Sequence, residues 1–112
     1  MSRDSRLYLE DIQLSCRKIL RYTENLDFDE FISDDRTYDA VFRNLEIIGE
    51  AARNVPEPIR VRQPEIDWRA IAALRNIVAH EYFGIKDEII WDVIRNKVHP
   101  LLVAVNTILG EL

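Results

Sequence analysis

With 112 residues and a formal net charge of −5, the chain has the size of one domain, residues 1–112, with a single hydrophobic core. Its one cysteine, Cys16, excludes an intramolecular disulfide, and no apolar run approaches the ~18 residues that cross a bilayer, so we expect a cytoplasmic protein with no membrane partner. The acidic balance argues against bulk binding of nucleic acid through a basic surface.

The first half of the chain carries two apolar series at helical spacing. The first runs from Tyr8 to Leu26 and includes Cys16, which we interpret as a small buried hydrophobe. The second follows a carboxylate cap at Asp34 or Asp35 and continues to Val55, where two prolines stop it. These patterns predict two long helices.

The second half predicts two more helices after a proline-rich connector. Asp67 can cap a third helix that Gly84 ends, and Asp87 can cap a fourth that reaches the terminus with a kink at Pro100. No segment alternates apolar and polar residues as a strand would. We therefore predict an all-α fold, a four-helix antiparallel bundle, whose surplus apolar surface on the last helix favours a homodimer.

Charge is unevenly distributed along the sequence. Residues 24–39 hold seven acids against one arginine, whereas residues 53–75 hold five arginines against three acids. Considered without the segment that follows, the arginines are interpreted as solvated helix ends and loop residues. That segment, residues 75–82, is the candidate functional site.

Residues 75–82 combine a strong base, an amide, an imidazole and a phenol in one predicted helix. Arg75 can hold a phosphate in a two-pronged grip, Asn76 can position it, and His80 can accept or donate a proton near neutral pH. Helical spacing places these residues and Tyr82 along one groove. Such a set suits phosphoryl chemistry without a metal. With a base, an acid and a cation, for example, a ribose 2′-hydroxyl can attack its own phosphodiester.

One histidine supplies only one proton carrier. A two-fold axis near the third helix would bring two copies of His80 and Arg75 to a shared cleft, supplying an acid, a base and two cations. The alternative is purely structural: Arg75 pairs with Glu46 or Glu50, and His80 is a satisfied, half-buried imidazole. His99 is interpreted as structural, and two histidines and one cysteine, widely separated, predict no metal site and no cofactor.

The sequence resembles the HepT toxins of the HEPN superfamily of helical ribonucleases. Their motif of arginine, four residues, histidine, one residue and tyrosine is matched by Arg75, His80 and Tyr82, with Asn76 in the polar position. Four further segments resemble the sequences of that family: residues 9–12, 43–51, 68–69 and 80–84. The similarity therefore spans nearly the whole chain.

The resemblance implies a homodimeric HEPN bundle and a metal-independent RNA endonuclease that is the toxin of a toxin–antitoxin pair. It further implies a cognate minimal nucleotidyltransferase antitoxin that silences the toxin by AMPylation of Tyr82. Arg75, Asn76 and His80 would be catalytic and RNA the substrate. The alternative is a catalytically inactive helical dimer that serves as binding partner or subunit of a nucleotidyltransferase.

Overall fold

The fold comes from a computed structural model, which describes residues 4–79 and 86–112. Its helices are α1 (Ser5–Tyr22), α2 (Phe28–Ser33), α3 (Asp35–Arg53), α4 (Glu57–Arg60), α5 (Trp68–Ala79), α6 (Asp87–Asn96) and α7 (Val98–Glu111). The described residues contain no β-strand, which confirms the all-α prediction. None of the helices in these two ranges is long and apolar enough to cross a membrane.

Asp34, one of the two caps that the sequence predicted, is the N-cap of helix α3. The Asp34 carboxylate accepts hydrogen bonds from the backbone nitrogen and the hydroxyl of Thr37, at 3.2 and 2.9 Å. Both bonds lower the pKa of Asp34, because they stabilise the charged form of the carboxyl, and the bond from the backbone nitrogen contributes most. The cap satisfies a helix-end N–H that would otherwise have no partner.

The short helix α2 was not predicted, because six residues are too few to show a helical period. A capping box fixes its start: Asp27 accepts from the backbone of Glu30, and Glu30 accepts from the backbone of Asp27. Its only buried residue, Phe31, stacks on Trp91 with ring centroids 5.4 Å apart and contacts the Tyr38 ring at 5.3 Å. Helix α2 is thus held against α3 and α6 by aromatic packing.

The start of α5 is fixed in two ways. Asp67 accepts a hydrogen bond from the backbone of Ala70 at 3.1 Å, which confirms the predicted cap. Trp68 is 7% exposed, and its indole nitrogen donates to the carbonyl of Gln63 at 3.2 Å. The helix therefore leaves the connector in a defined direction, and this direction determines where Arg75 lies.

The last predicted helix is broken into α6 and α7 at Lys97, three residues before Pro100. Proline cannot donate to the carbonyl four residues earlier, so the break falls one turn upstream of it. The expected cap at Asp87 is wrong: Lys86 occupies the cap position, and the Asp87 carboxylate instead accepts the Tyr38 hydroxyl at 2.6 Å. The predicted end at Gly84 lies outside the described residues.

The core lies where α3 packs against α1 and α5, and where α1 packs against α7. Its fully buried side chains come from the five helices α1, α2, α3, α6 and α7; among them are Leu9, Ile12, Cys16, Ile19, Phe31, Val41, Leu45, Ile48, Ile90, Val105 and Ile108. Each such side chain contributes about 1.5–3 kcal/mol by leaving water. Helix α3 is central to this packing, and it carries the residues that meet the candidate site.

Candidate functional site on helix α5

The structure brings two of the four predicted site residues to the surface of α5. Arg75 and Asn76 are both exposed. His80 and Tyr82 lie outside the described residues, so the groove expected to join all four remains a prediction. What the structure does define is the surroundings of Arg75.

Helices α3 and α5 approach each other closely at Gly49 and Arg75. A Cβ atom on Gly49 would lie 2.5 Å from the backbone nitrogen of Arg75 and 3.2 Å from the carbonyl oxygen of Ala72. These neighbours are backbone atoms that cannot rotate away. Only glycine therefore allows this packing, which places the base of the Arg75 side chain directly against α3.

Glu50, the next residue on α3, forms an ion pair with Arg75. The Nε atom of Arg75 lies 3.0 Å from Oε2 of Glu50, and the two side chains are 46% and 50% exposed. The sequence had offered Glu46 or Glu50 as partner, and the structure selects Glu50. A half-exposed pair is worth only about 0–1 kcal/mol, so we interpret it as orienting the guanidinium rather than stabilising the fold.

The outer face of Arg75 opens onto a shallow depression of about 360 Å³, which we call the arginine pocket. It is lined by Arg53, Arg69, Ala72, Ala73, Arg75 and Asn76. Its walls come from the last turn of α3 and from two turns of α5. No described residue in this lining carries a carboxylate, although Glu50 lies beside Arg75.

Sequence reasoning did not assign Arg53 or Arg69 to the site. The available signal was the arginine-rich stretch of residues 53–75, which did not distinguish its members. The structure separates them: Arg60 donates to the carbonyl of Val55 at 2.8 Å, and Arg62 lies 3.8 Å from the Glu111 carboxylate. Arg53 and Arg69 line the arginine pocket with Arg75.

Cys16 has no accessible chemistry. Its side chain is fully buried in the core, as predicted. Burial raises the pKa of its thiol to about 12, because the charged thiolate would lose its hydration. A nucleophilic role for this cysteine therefore has no support.

Comparison with known proteins identifies the family. The sequence model of the family described as "Ribonuclease HepT-like" matches residues 12–108. The chain is 45% identical over 96 residues to "Putative RNase MJ0127" of Methanocaldococcus jannaschii, covering 86% of this chain and 79% of that protein. It is 38% identical to "Probable ribonuclease HepT" of Thermococcus cleftensis over 101 residues, 90% of this chain and 92% of that one.

A third relative, "Putative RNase TTE0752" of Caldanaerobacter subterraneus, is 36% identical over 106 residues, 95% of each chain. No solved structure showed a significant match. The family match covers most of the chain, and the relatives are aligned over most of their own length. The chain therefore belongs to the HepT-like ribonuclease family.

Proposed function

We propose that this chain is a metal-independent RNA endonuclease and the toxin of a toxin–antitoxin pair. In this proposal residues 1–112 form one HEPN-type four-helix antiparallel domain that acts as a homodimer. One observation carries it: in a chain of the HepT-like ribonuclease family, Arg75 of the predicted motif is exposed on α5 and oriented by Glu50.

The proposed reaction divides its work among three side chains. His80 removes the proton of the ribose 2′-hydroxyl, and the 2′-oxygen attacks the adjacent phosphorus. The bond to the 5′-oxygen breaks, that oxygen takes up a proton, and the products are a 2′,3′-cyclic phosphate and a 5′-hydroxyl. Arg75 stabilises the charge that spreads over the phosphate oxygens, and Asn76 positions the phosphate.

The glutamate beside Arg75 is compatible with this role. The ion pair engages the Nε atom of the guanidinium. Neither terminal nitrogen of Arg75 hydrogen-bonds to any residue in the described ranges, so both can donate to a phosphate. The sequence analysis had left open that Arg75 serves only to pair with a glutamate. The ion pair with Glu50 is present, but it leaves the terminal nitrogens of Arg75 able to bind a phosphate.

Dimerisation would complete the site. A second copy related by a two-fold axis would supply a second His80, so that one imidazole acts as base and the other as acid. Light scattering on the purified protein should give twice the mass of one chain. A monomer that still cleaves RNA at full rate would remove the dimer from the mechanism.

Control by a partner would act on Tyr82. The proposed minimal nucleotidyltransferase transfers AMP from ATP to the phenol oxygen, releasing pyrophosphate and the phenol proton. The added bulk and negative charge would stand two residues from His80, where the RNA phosphate must bind. Intact mass of protein co-produced with that partner should rise by one or more AMP units, and Tyr82→Phe should abolish the increase.

The nuclease proposal is tested on purified, unmodified protein with a single-stranded RNA and a chelator present. We expect cleavage that leaves cyclic phosphate ends and stops when the 2′-hydroxyls of the RNA are methylated. His80→Ala should lose at least about a hundredfold in rate, the contribution expected of a general acid or base. Helicity and dimer mass of that variant serve as folding controls.

Absence of cleavage by the unmodified wild-type protein would overturn the nuclease proposal. If such protein still accepted AMP on Tyr82, the alternative function would stand, namely an inactive helical dimer that is partner or subunit of a nucleotidyltransferase. Undiminished cleavage by His80→Ala would instead remove this histidine from the mechanism.

A further inference from the structure

The arginine pocket concentrates positive charge on an acidic protein. Three arginines from separate parts of the chain, Arg53 on α3 and Arg69 and Arg75 on α5, line one depression, although the net charge is −5. Like charges repel, so a cluster of this kind lowers stability unless anions compensate it. Glu50 compensates Arg75 alone.

Arg53 and Arg69 form no ion pair with any residue of the described ranges. Other arginines are engaged: Arg6 pairs with Glu10 at 3.0 Å, and the guanidinium of Arg95 lies over the ring of Trp91. Arg17 and Arg36 also form no ion pair within the described ranges, but of the arginines without one, Arg53 and Arg69 are the two that line the arginine pocket. Their charge is available to a ligand from outside the chain.

The floor of the pocket leaves room for such a ligand. Between Arg69 and Arg75 the lining residues of α5 are Ala72 and Ala73, whose methyl groups are the smallest side chains after glycine. The two arginines are six positions apart, which is a rise of about 9 Å along the helix. Phosphates of a stacked strand follow one another at ~3.4 Å along its axis, so this length spans more than one nucleotide.

We propose that Arg53 and Arg69 form a phosphate-binding subsite for single-stranded RNA, next to the phosphate held by Arg75. The proposal rests on the function proposed above and extends its substrate contacts. The subsite reads the RNA backbone through guanidinium–phosphate contacts and carries no base specificity of its own. Arg53 and Arg69 are binding residues here, and the reacting atoms remain with Arg75 and His80.

The test compares two double variants with equal net charge. Arg53→Gln with Arg69→Gln removes the subsite, whereas Arg17→Gln with Arg36→Gln removes two exposed arginines outside the pocket. Binding of a short fluorescent RNA is measured over a range of salt concentrations in a His80→Ala background. The pocket variant should bind about tenfold or more weakly, and its log–log salt slope should fall by about 1.4, from ~0.7 per lost phosphate contact.

With His80 present, the pocket variant should show a raised KM for RNA and a kcat within about twofold of wild type. Replacing both arginines by lysine should keep the salt slope, because the charge is retained, and recover part of the affinity. Equal affinity and slope in the two double variants would overturn the subsite while wild-type cleavage left the nuclease intact. A wild-type protein that cleaves no RNA would instead overturn the function on which the subsite rests.

Discussion

The backbone nitrogen of Arg75 lies 2.5 Å from the point where a Cβ atom of residue 49 would stand, so Gly49 and Arg75 share one point of contact between α3 and α5. The neighbouring Glu50 then reaches the Arg75 guanidinium at 3.0 Å. Packing and orientation of the motif arginine are thus set by two adjacent residues of another helix. Each can be changed separately.

Gly49→Ala should destabilise the protein, because the added methyl group meets backbone that cannot rotate away. Overpacking of this kind costs about 1–3 kcal/mol, which should appear as a lower free energy of unfolding in urea. Gly110→Ala is the matched control, since no heavy atom from another part of the two described ranges lies within 4 Å of its new Cβ. It should leave stability unchanged or raise it by up to about 1 kcal/mol. Equal effects at the two glycines would contradict the close approach.

Glu50→Gln should show whether the ion pair orients the Arg75 guanidinium or stabilises the fold. The pair is half exposed, so the free energy of unfolding should change by less than about 1 kcal/mol. The freed guanidinium regains rotamer freedom worth up to about 2 kcal/mol, so kcat for RNA should fall about tenfold. KM should stay constant or fall, because a negative charge near the substrate is removed. Glu46→Gln, one turn earlier on α3, is the control; an unchanged kcat in Glu50→Gln would refute the orienting role.

The buried thiol makes stability depend on alkaline pH. Burial raises the pKa of Cys16 from its ordinary 9.0 to about 12, so between these values the unfolded chain releases a proton that the folded chain keeps. The stabilisation is complete below pH 9 and is lost as pH rises towards 12, with a slope of up to about 1.4 kcal/mol per pH unit. Unfolding curves of Cys16→Ala, which has no thiol to ionise, should lack this component of the slope.

The same thiol should resist iodoacetamide in the native protein at pH 8 and react once urea unfolds the chain. Labelling followed by intact mass measures both states. Rapid modification of the native protein would show that Cys16 is accessible and would invalidate its assignment to the core.

The core of this fold could be predicted from the sequence because burial repeats at helical spacing. The stripe through Ile12 and Ile19 predicted α1, and the apolar series that starts after the Asp34 cap predicted α3. Helices α2 and α4 escaped prediction because they span only six and four residues. Asp87 was wrongly assigned as a cap. The sequence does not show whether an aspartate accepts a hydrogen bond from its own helix or from a distant residue, and its partner Tyr38 is 49 positions away.

The site was less predictable than the core. The motif identified Arg75, and charge alone gave two candidate partners; the contact at Gly49 decides between them. Arg53 and Arg69 could not be selected from the arginine-rich stretch, because their proximity depends on how α3 crosses α5. Local periodicity carries no information about such a crossing.

The small methyl groups of Ala72 and Ala73 line the arginine pocket between its arginines. A protein with the same arginines but leucine at these two positions would have bulky apolar side chains between the guanidinium groups. An RNA strand could then not approach closely enough for its phosphates to bind between the guanidinium groups. If the arginine pocket holds RNA as proposed, Ala72→Leu with Ala73→Leu should therefore weaken RNA binding although neither position bears charge or takes part in the reaction.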